Sequence, residues 1–416
     1  MEPARNVGRA FFPLDEQLGL RRWAVTPRIE GTLVRLASWM PYEPARELVE
    51  DLLGVRVSKA TARRLTLATG QAALAVCEQE EQQLQQTPPQ APEGAEKQTM
   101  SGDGAMVYLV GGEWVEVKTL SIGQVTRNKQ GDISCEQLSY CSRLCDASRF
   151  AQATLVETHR RGLERASEVC AVQDGAEWLQ GLVDYHRADA IRILDFAHAA
   201  EYVSQIGQAV QGAGGHLPAH WLDGLLHRLK HQGPARVLQH LSYLAARFQS
   251  PTIEEKLAYL HKREEHMQYP IYQAAGWPIG SGSVESANKL VVEARLKGAG
   301  MRWARHNVNP MLLLRNAVCN RRWKEAWAAA QAYQGGVRTQ FRQAASQQRL
   351  RKASFLLALW SVRLTRLSQP PAFEPPVPAR KPPSPRRLDT GYSWRKPFLR
   401  RPPSSAQPTE EVSAKK

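Results

Sequence analysis

Two aspartates lie within or directly after predicted β-strands, where a carboxylate could take part in chemistry. Asp103 lies between two glycines in the β-rich run TMSGDGAMVYLVG, and a carboxylate inside a strand is costly unless it is paired or bound to a metal. A hairpin turn at Asp103 is the alternative, although Gly111-Gly112 forms the better turn. Asp174 follows the apolar run CAVQ, so it lies either at the carboxyl end of a strand or at the N-cap of the next helix.

A third aspartate, Asp195, closes the apolar run RILD and is followed three residues later by His198. This pair has three interpretations, which the sequence leaves open. The two side chains could bind a metal together, act as a catalytic pair, or form a buried hydrogen-bonded couple that fixes the end of the strand.

The stretch PIGSGSVESANKLVVEARLKGAGMRW begins as a glycine-punctuated loop and continues as a predicted helix with Glu285 in its first turn. The helix dipole alone would favour a carboxylate there. The alternative is that the loop leaves room for a phosphodiester while Glu285, rather than Glu293, reaches a metal. The cationic residues that follow would then contact the DNA backbone, and they are Lys289, Arg295, Lys297 and Arg302.

Asp103, Asp174 and Glu285 together would provide three hard oxygen ligands from separate elements. Mg²⁺ or Mn²⁺ is the metal that such a set selects. Two such ions support in-line displacement at a phosphodiester by activating the attacking oxygen and stabilising the leaving oxygen. The residues therefore predict a metal-dependent nuclease or strand transferase.

The elements that must position these residues form a mixed α/β pattern. Three meandering strands are followed by alternating helices and strands, in the order β-β-β-α-β-α-β, which is the arrangement of the ribonuclease-H-like fold. The predicted strands lie near 99–111, 113–125, 138–144, 170–175 and 190–196. The chain from 202 to 268 is helical without strand signals, which predicts a helical insertion into this core.

The region before the sheet predicts an all-α, helix-turn-helix-like domain. A helix over 41–54 ends at a glycine, and Ser58 is placed to cap a second helix. Lys59, Arg63 and Arg64 on that second helix would be available to phosphates or bases.

The predicted organisation has six parts. They are a DNA-binding helical domain (1–78), a polar linker (79–98), the first part of the core (99–201), the helical insertion (202–268), core completion with a basic helical region (269–368) and a proline-rich basic tail expected to be disordered (369–416).

The charge of the chain is distributed unevenly. The formal net charge is +15, and residues 286–368 hold 16 lysines and arginines against two acids. A polyanion such as DNA is the partner that this asymmetry favours. No apolar run is long enough to span a membrane and the N-terminus has no signal-like stretch, so a soluble, cytoplasmic protein without a membrane partner is expected.

Four strings of the sequence resemble bacterial insertion-sequence DDE transposases of the ISKra type, which are mutator-like enzymes. These strings are SGDGAMVYLVGGEWVEVKTLSIGQV, VQDGAEWLQG, RILDFAHAAEYV, and PIGSGSVESANKLVVEARLKGAGMRW with the following NPMLLLRNAVCNRRW. The resemblance covers roughly residues 12–330 in order, and the four strings together are more specific than any one alone.

The resemblance implies a ribonuclease-H-like enzyme that uses Mg²⁺ to cleave and join DNA at element ends and target DNA, with a homo-oligomer expected in the DNA complex. Carried over by position, Asp103, Asp174 and Glu285 would be the three acids and would bind the metal. Asp195 and His198 look like a signature of related enzymes, which makes Asp195 a competitor for the second acid. Arg315 is a further expected DNA contact. A transposase-derived DNA-binding protein without catalysis, and a ribonuclease-H-like nuclease or resolvase, remain as alternatives.

Overall fold

The computed structural model describes residues 25–129 and 131–367, without the side chains of 361–367. Predictions for residues 1–24 and for the tail 369–416 lie outside the described residues. The chain divides into two compact units, one up to Ser346 and one from Gln347 onward. The sheet and every candidate site residue belong to the first unit.

Five strands form one mixed sheet, which confirms the predicted α/β class. They are β1 (Lys97–Tyr108), β2 (Trp114–Arg127), β3 (Ile133–Arg143), β4 (Glu168–Gln173) and β5 (Ile191–Leu194). The spatial order is β3-β2-β1-β4-β5. β1 to β3 form an antiparallel meander, whereas β1 pairs parallel with β4, and β4 pairs parallel with β5.

The helices before the sheet are α1 (Pro27–Trp39), α2 (Tyr42–Leu53) and α3 (Lys59–Gln86). As predicted, α2 ends at Gly54, which adopts the left-handed conformation with φ 67°, and the Ser58 hydroxyl caps α3 by accepting from the Thr61 N–H at 3.1 Å. α3 continues to Gln86 and β1 begins at Lys97. The predicted linker 79–98 is therefore corrected to 87–96. The glutamine-rich stretch up to Gln86 is part of α3 and does not form an irregular connection.

Short helices and one long helical block connect and follow the parallel strands. They are α4 (Ala147–Ala153), α5 (Leu155–Arg160), α6 (Glu177–Arg187), α7 (Phe196–Gly212), α8 (Trp221–Gln232), α9 (Ala235–Phe248), α10 (Pro251–His261) and α11 (Tyr269–Ala274). From 202 to 268 the chain is helical without a strand, as the sequence predicted. This block packs its own core against Val172 of β4 and against Ile193 and Leu194 of β5.

The predicted helix after the glycine loop is broken into several pieces. α12 (Gly282–Ala287) passes into a π-helical segment (Asn288–Glu293) and then into α13 (Ala294–Leu296), while α14 (Arg305–Cys319) and α15 (Trp323–Leu367) follow. Residues of the π-helical segment and α14 cover one face of β1 and β2, and α4 and α6 cover the opposite face. Among the described residues, no helix is both long and apolar enough to cross a membrane.

Candidate active site

Three aspartates lie at one level of the sheet, on or directly after neighbouring strands. Thr99 of β1 is the last residue that pairs with β4, at Cys170, and Asp103 and Asp174 each lie four residues further along the chain. Gln173 pairs with Leu194 of β5, so the next pair in that register is Asp174 and Asp195. The parallel strands thus bring together carboxylates that are far apart in the sequence, as expected at the carboxyl edge of such a sheet.

Asp103 is partly buried in β1 and is held by two donors. Its Oδ1 accepts from the Gly104 N–H at 2.7 Å, and its Oδ2 accepts from Asn288 Nδ2 at 2.8 Å. Burial raises the pKa of Asp103 and the nearby charge of Asp174 raises it further, against the lowering effect of the two hydrogen bonds. The carboxylate of Asp174 is therefore close enough for its charge to act on Asp103.

Asp174 lies in a turn whose main-chain carbonyls accept hydrogen bonds from residues of the helical block. Its Oδ1 accepts from the Ala176 N–H at 2.9 Å, and its carbonyl accepts from the hydroxyl of Tyr259 on α10. The next carbonyl, that of Gly175, accepts from Arg263 Nη2 at 2.6 Å. Gly175 has φ 81°, and a Cβ there would lie 2.4 Å from Arg263 Nε, so only glycine fits this turn.

Asp195 is the N-cap of α7 and also holds the glycine loop. One carboxylate oxygen accepts from the Ala197 N–H at 2.8 Å, and the other accepts from the Ser281 hydroxyl. His198 packs against the rings of Tyr202 and Tyr259, and no hydrogen bond joins it to Asp195 within the described residues. Asp195 and His198 therefore have separate contacts, and the hydrogen-bonded couple is not formed among the described residues.

Glu285 lies in α12 but does not reach the aspartates. Its side chain is 64% exposed and accepts from Lys289 Nζ at 2.5 Å. The hydrogen bond from Lys289 holds the pKa of Glu285 below its ordinary value. Within the described residues, no three histidine, cysteine, aspartate or glutamate side chains form a group that could hold a metal ion. The predicted triad is thus present as a pair of aspartates with Glu285 apart from them.

Asn288 is the site residue that the sequence analysis missed. It begins the π-helical segment, is only 5% exposed, and contacts Asp103 where Glu285 was expected. Its Oδ1 is buried without a hydrogen-bond partner. π-Helical turns inside helices are frequent at functional sites, because they shift side chains from the regular helical positions. The available sequence signal was a polar residue one helical turn after Glu285.

Two of the predicted DNA-contacting arginines are buried. Arg295 donates to the Ala37 carbonyl at 2.8 Å and lies 5.1 Å from the ring centres of both Tyr42 and Trp303. Arg315 is fully buried and donates to the carbonyls of Val291, Ser38 and Leu290. The structure corrects the prediction for both residues, because their guanidinium groups satisfy main-chain carbonyls inside the fold.

The other predicted DNA contacts remain accessible to different degrees. Lys289 and Lys297 form exposed or half-exposed ion pairs with Glu285 and Glu293. The remaining cations are exposed, and they are Lys59, Arg63 and Arg64 on α3, and Arg302 before α14.

No protein-family model matches this chain, and no curated protein matches it significantly.

Proposed function

We propose that the chain is a DDE-type transposase that cleaves and joins DNA with the help of divalent cations. The observation that carries the proposal is the proximity of two carboxylates on neighbouring parallel strands, Asp103 within β1 and Asp174 directly after β4. The sheet order β3-β2-β1-β4-β5 supports it, since this order is typical of ribonuclease-H-like enzymes. The sequence strings that carry the resemblance include both aspartates.

The residues at this edge fit Mg²⁺ or Mn²⁺. Asp103 is a partly desolvated carboxylate beside the charge of Asp174, an arrangement that a bound cation would relieve. Asn288 adds a buried amide oxygen without a partner. Carboxylate and amide oxygens are the ligands that these hard cations prefer. Asp103 and Asp174 would hold the cation, and Asn288 would keep Asp103 oriented.

When bound, such cations supply an activated attacking oxygen and charge stabilisation at the leaving oxygen of an in-line displacement. The residues of the chain prepare the site for that chemistry. The Gly104 N–H and Asn288 fix the Asp103 carboxylate in one orientation, while Tyr259 and Arg263 fix the turn that carries Asp174. Fixed ligands do not have to be reordered at each turnover.

Glu285 remains the proposed third acid of the enzyme at work. Its contact in the structure is an exposed ion pair with Lys289, and such pairs are weak and readily exchanged. Space is available around the loop before it, because a Cβ on Gly280 or on Gly282 would meet no atom within 4 Å. DNA would enter there, with exposed cations such as Lys289 and Arg302 close in sequence to the loop and Lys59, Arg63 and Arg64 on α3 binding the element end.

Cleavage of DNA that carries the ends of the encoding element tests this proposal. We expect Mg²⁺- or Mn²⁺-dependent cleavage by the full chain, and a loss of at least about 1000-fold in rate in Asp103→Asn and in Asp174→Asn, with DNA binding retained. Asp51→Asn, on the exposed surface of α2, is the matched control.

Further variants assign the remaining site residues, by Mn²⁺ binding and by DNA cleavage. We expect Asn288→Ala to lower the affinity for Mn²⁺ by about 10- to 100-fold, measured by electron paramagnetic resonance, because it removes the donor that orients Asp103. Loss of DNA cleavage in Glu285→Gln would identify Glu285 as the third acid, and retained cleavage would contradict that role. Retained cleavage in Asp174→Asn together with loss in Asp195→Asn would transfer the second role to Asp195. DNA binding without any cleavage would favour a regulatory protein, and cleavage without preference for element ends would favour a nuclease or resolvase.

A further inference from the structure

The hairpin of β1 and β2 extends beyond the level of the aspartates. β4 ends at Gln173, one residue before Asp174, whereas β1 continues for five residues past Asp103 to Tyr108. At about 3.4 Å per residue, the end of β1 lies about 17 Å from Asp103 along the strand. The hairpin therefore forms a projection beside the candidate active site.

The end of this hairpin exposes the ring of one tryptophan next to a half-buried tyrosine. Trp114 begins β2 opposite Tyr108, is 57% exposed, and its ring centre lies 4.9 Å from that of Tyr108. Met106, on the same side of β1, is also exposed. A tryptophan that leaves most of its ring in water contributes little to folding through burial, so its exposure calls for another explanation.

A cation is fixed beside these rings. The Arg302 guanidinium lies 5.4 Å from the Tyr108 ring centre. The next residue, Trp303, is buried and pairs with the hairpin, since its N–H donates to the Tyr108 carbonyl at 3.1 Å and its carbonyl accepts from the Val110 N–H at 2.9 Å. The main chain at Arg302 is thus held at the hairpin by two hydrogen bonds next to it.

The acids around the rings are neutralised, and Arg302 is not. Glu113 pairs with Arg305 at 2.8 Å, and Glu116 pairs with Lys118. Among the residues that the structure describes, no carboxylate pairs with Arg302. An exposed tryptophan beside a half-buried tyrosine and one unpaired positive charge is complementary to a nucleotide, which has a flat base and a negative phosphate.

We infer that Tyr108, Trp114 and Arg302, which we name the hairpin platform, bind an unpaired nucleotide of the DNA substrate. The base stacks on the exposed ring of Trp114, and a neighbouring phosphate contacts Arg302. This inference rests on the proposed function, because it takes DNA as the substrate. Side chains alternate along a strand, so Tyr108 and Trp114 point to the face of the sheet opposite to that of Asp103, and the platform lies at the end of the hairpin about 17 Å along β1 from Asp103. An unpaired nucleotide there requires the duplex to be opened near the end of the hairpin.

Binding of single-stranded DNA by the full chain tests the platform. We expect Trp114→Ala to weaken the binding of a fluorescein-labelled oligothymidylate by about tenfold, because it removes one stacked base, and Trp114→Phe to retain most of the affinity. Arg302→Ala should reduce the slope of log affinity against log salt by about one. Tyr243→Ala and Arg236→Ala are the matched controls, since both residues are exposed in the helical block.

A fluorescent base analogue locates the contact. In a scan of 2-aminopurine along the substrate strand, we expect strong quenching at one position away from the cleaved phosphate, and this quenching to disappear in Trp114→Ala. Unchanged affinity and unchanged quenching in Trp114→Ala would overturn the platform even if the wild-type chain cleaves element ends. Quenching that depends on Trp114 in a chain that never cleaves DNA would instead support the platform and contradict the proposed enzyme.

Discussion

Among the residues of the candidate site, Asp103 has the surroundings that most disfavour a charged carboxylate. It is partly buried in β1, faces the charge of Asp174, and receives only two hydrogen bonds in compensation. Such a carboxylate costs folding free energy that a purely structural position would not require. Asn288 reduces this cost on one side, and its unpartnered Oδ1 leaves a second polar group in the same place.

At the residue scale, we predict that Asp103→Asn stabilises the metal-free protein at neutral pH. The pKa of Asp103 is raised in the folded state, so the folded chain binds more protons than the unfolded chain in the range between the two pKa values. The wild type is therefore relatively most stable below the ordinary carboxyl pKa, and it loses this advantage as pH rises through the folded pKa. Melting temperatures of wild type and variant, measured across acidic and neutral pH without divalent cations, should diverge as pH rises.

The exposed Asp51→Asn should show no such divergence. A melting temperature of Asp103→Asn that stays below that of the wild type at neutral pH would contradict the argument that burial opposes the charge of Asp103.

At the scale of elements, the helical block contacts the sheet edge that carries the candidate site as well as forming its own core. α10 provides Tyr259 to the carbonyl of Asp174 and, just beyond its end, the chain provides Arg263 to the carbonyl of Gly175. The ring of Tyr259 is stacked at 4.0 Å on that of Tyr202 from α7, and the Arg263 guanidinium lies 3.7 Å from the Tyr259 ring centre. The turn after β4 is therefore positioned by residues about 85 positions later in the chain.

We predict that Tyr259→Phe lowers the rate of DNA cleavage by about tenfold or more while reducing the free energy of unfolding by only about 1 kcal/mol. The substitution removes a single hydrogen bond, so its effect on stability is small. The same hydrogen bond holds the turn that orients Asp174, so its effect on the cleavage rate is larger. Tyr272→Phe is the matched control, because its hydroxyl donates to the Glu265 carbonyl at 2.6 Å in the same block. Equal effects of both substitutions on the cleavage rate would show that α10 has no special role at the edge.

At the scale of the first unit, two buried arginines connect the N-terminal helices to the active-site segment. Arg295 and Arg315 donate to the carbonyls of Ala37 and Ser38, near the end of α1, and Arg315 also donates to carbonyls of the π-helical segment. Burial lowers the pKa of both guanidinium groups, because desolvation disfavours the charged form, and their hydrogen bonds to main-chain carbonyls compensate part of this cost. Leu314 and Val318 of α14 share a core cluster with residues of α1 to α3, so this part of the fold is not independent of the sheet.

We predict that Arg315→Met reduces the free energy of unfolding by about 3 kcal/mol or more, because it leaves two buried carbonyls and one partly buried carbonyl without their donor. Arg236→Met on the exposed surface of α9 should change it by less than about 0.5 kcal/mol. Denaturant unfolding followed by circular dichroism provides the measurement. A similar small effect for both substitutions would mean that Arg315 is dispensable to the fold.

This connection also changes how DNA binding by the first helices is tested. Deletion of residues 1–78 would remove the carbonyl partners of both arginines and part of a core cluster, so loss of DNA binding would follow from unfolding alone. Substitution of Lys59, Arg63 and Arg64 by alanine on the exposed face of α3 separates binding from folding.

The approximate strands, the order of elements and the aspartates within or directly after the strands could be predicted from the sequence, because alternation, apolar runs and glycines act over a few residues. Gly54 and Ser58 show the same local control at the ends of helices. Only the tertiary structure decided which side chains meet. A π-helical turn brings Asn288 to Asp103 and leaves Glu285 in solvent, and packing buries Arg295 and Arg315 although their sequence context matches that of exposed cations. Those outcomes depend on contacts between residues far apart in the chain. The helical periodicity of a single segment carries no information about such contacts.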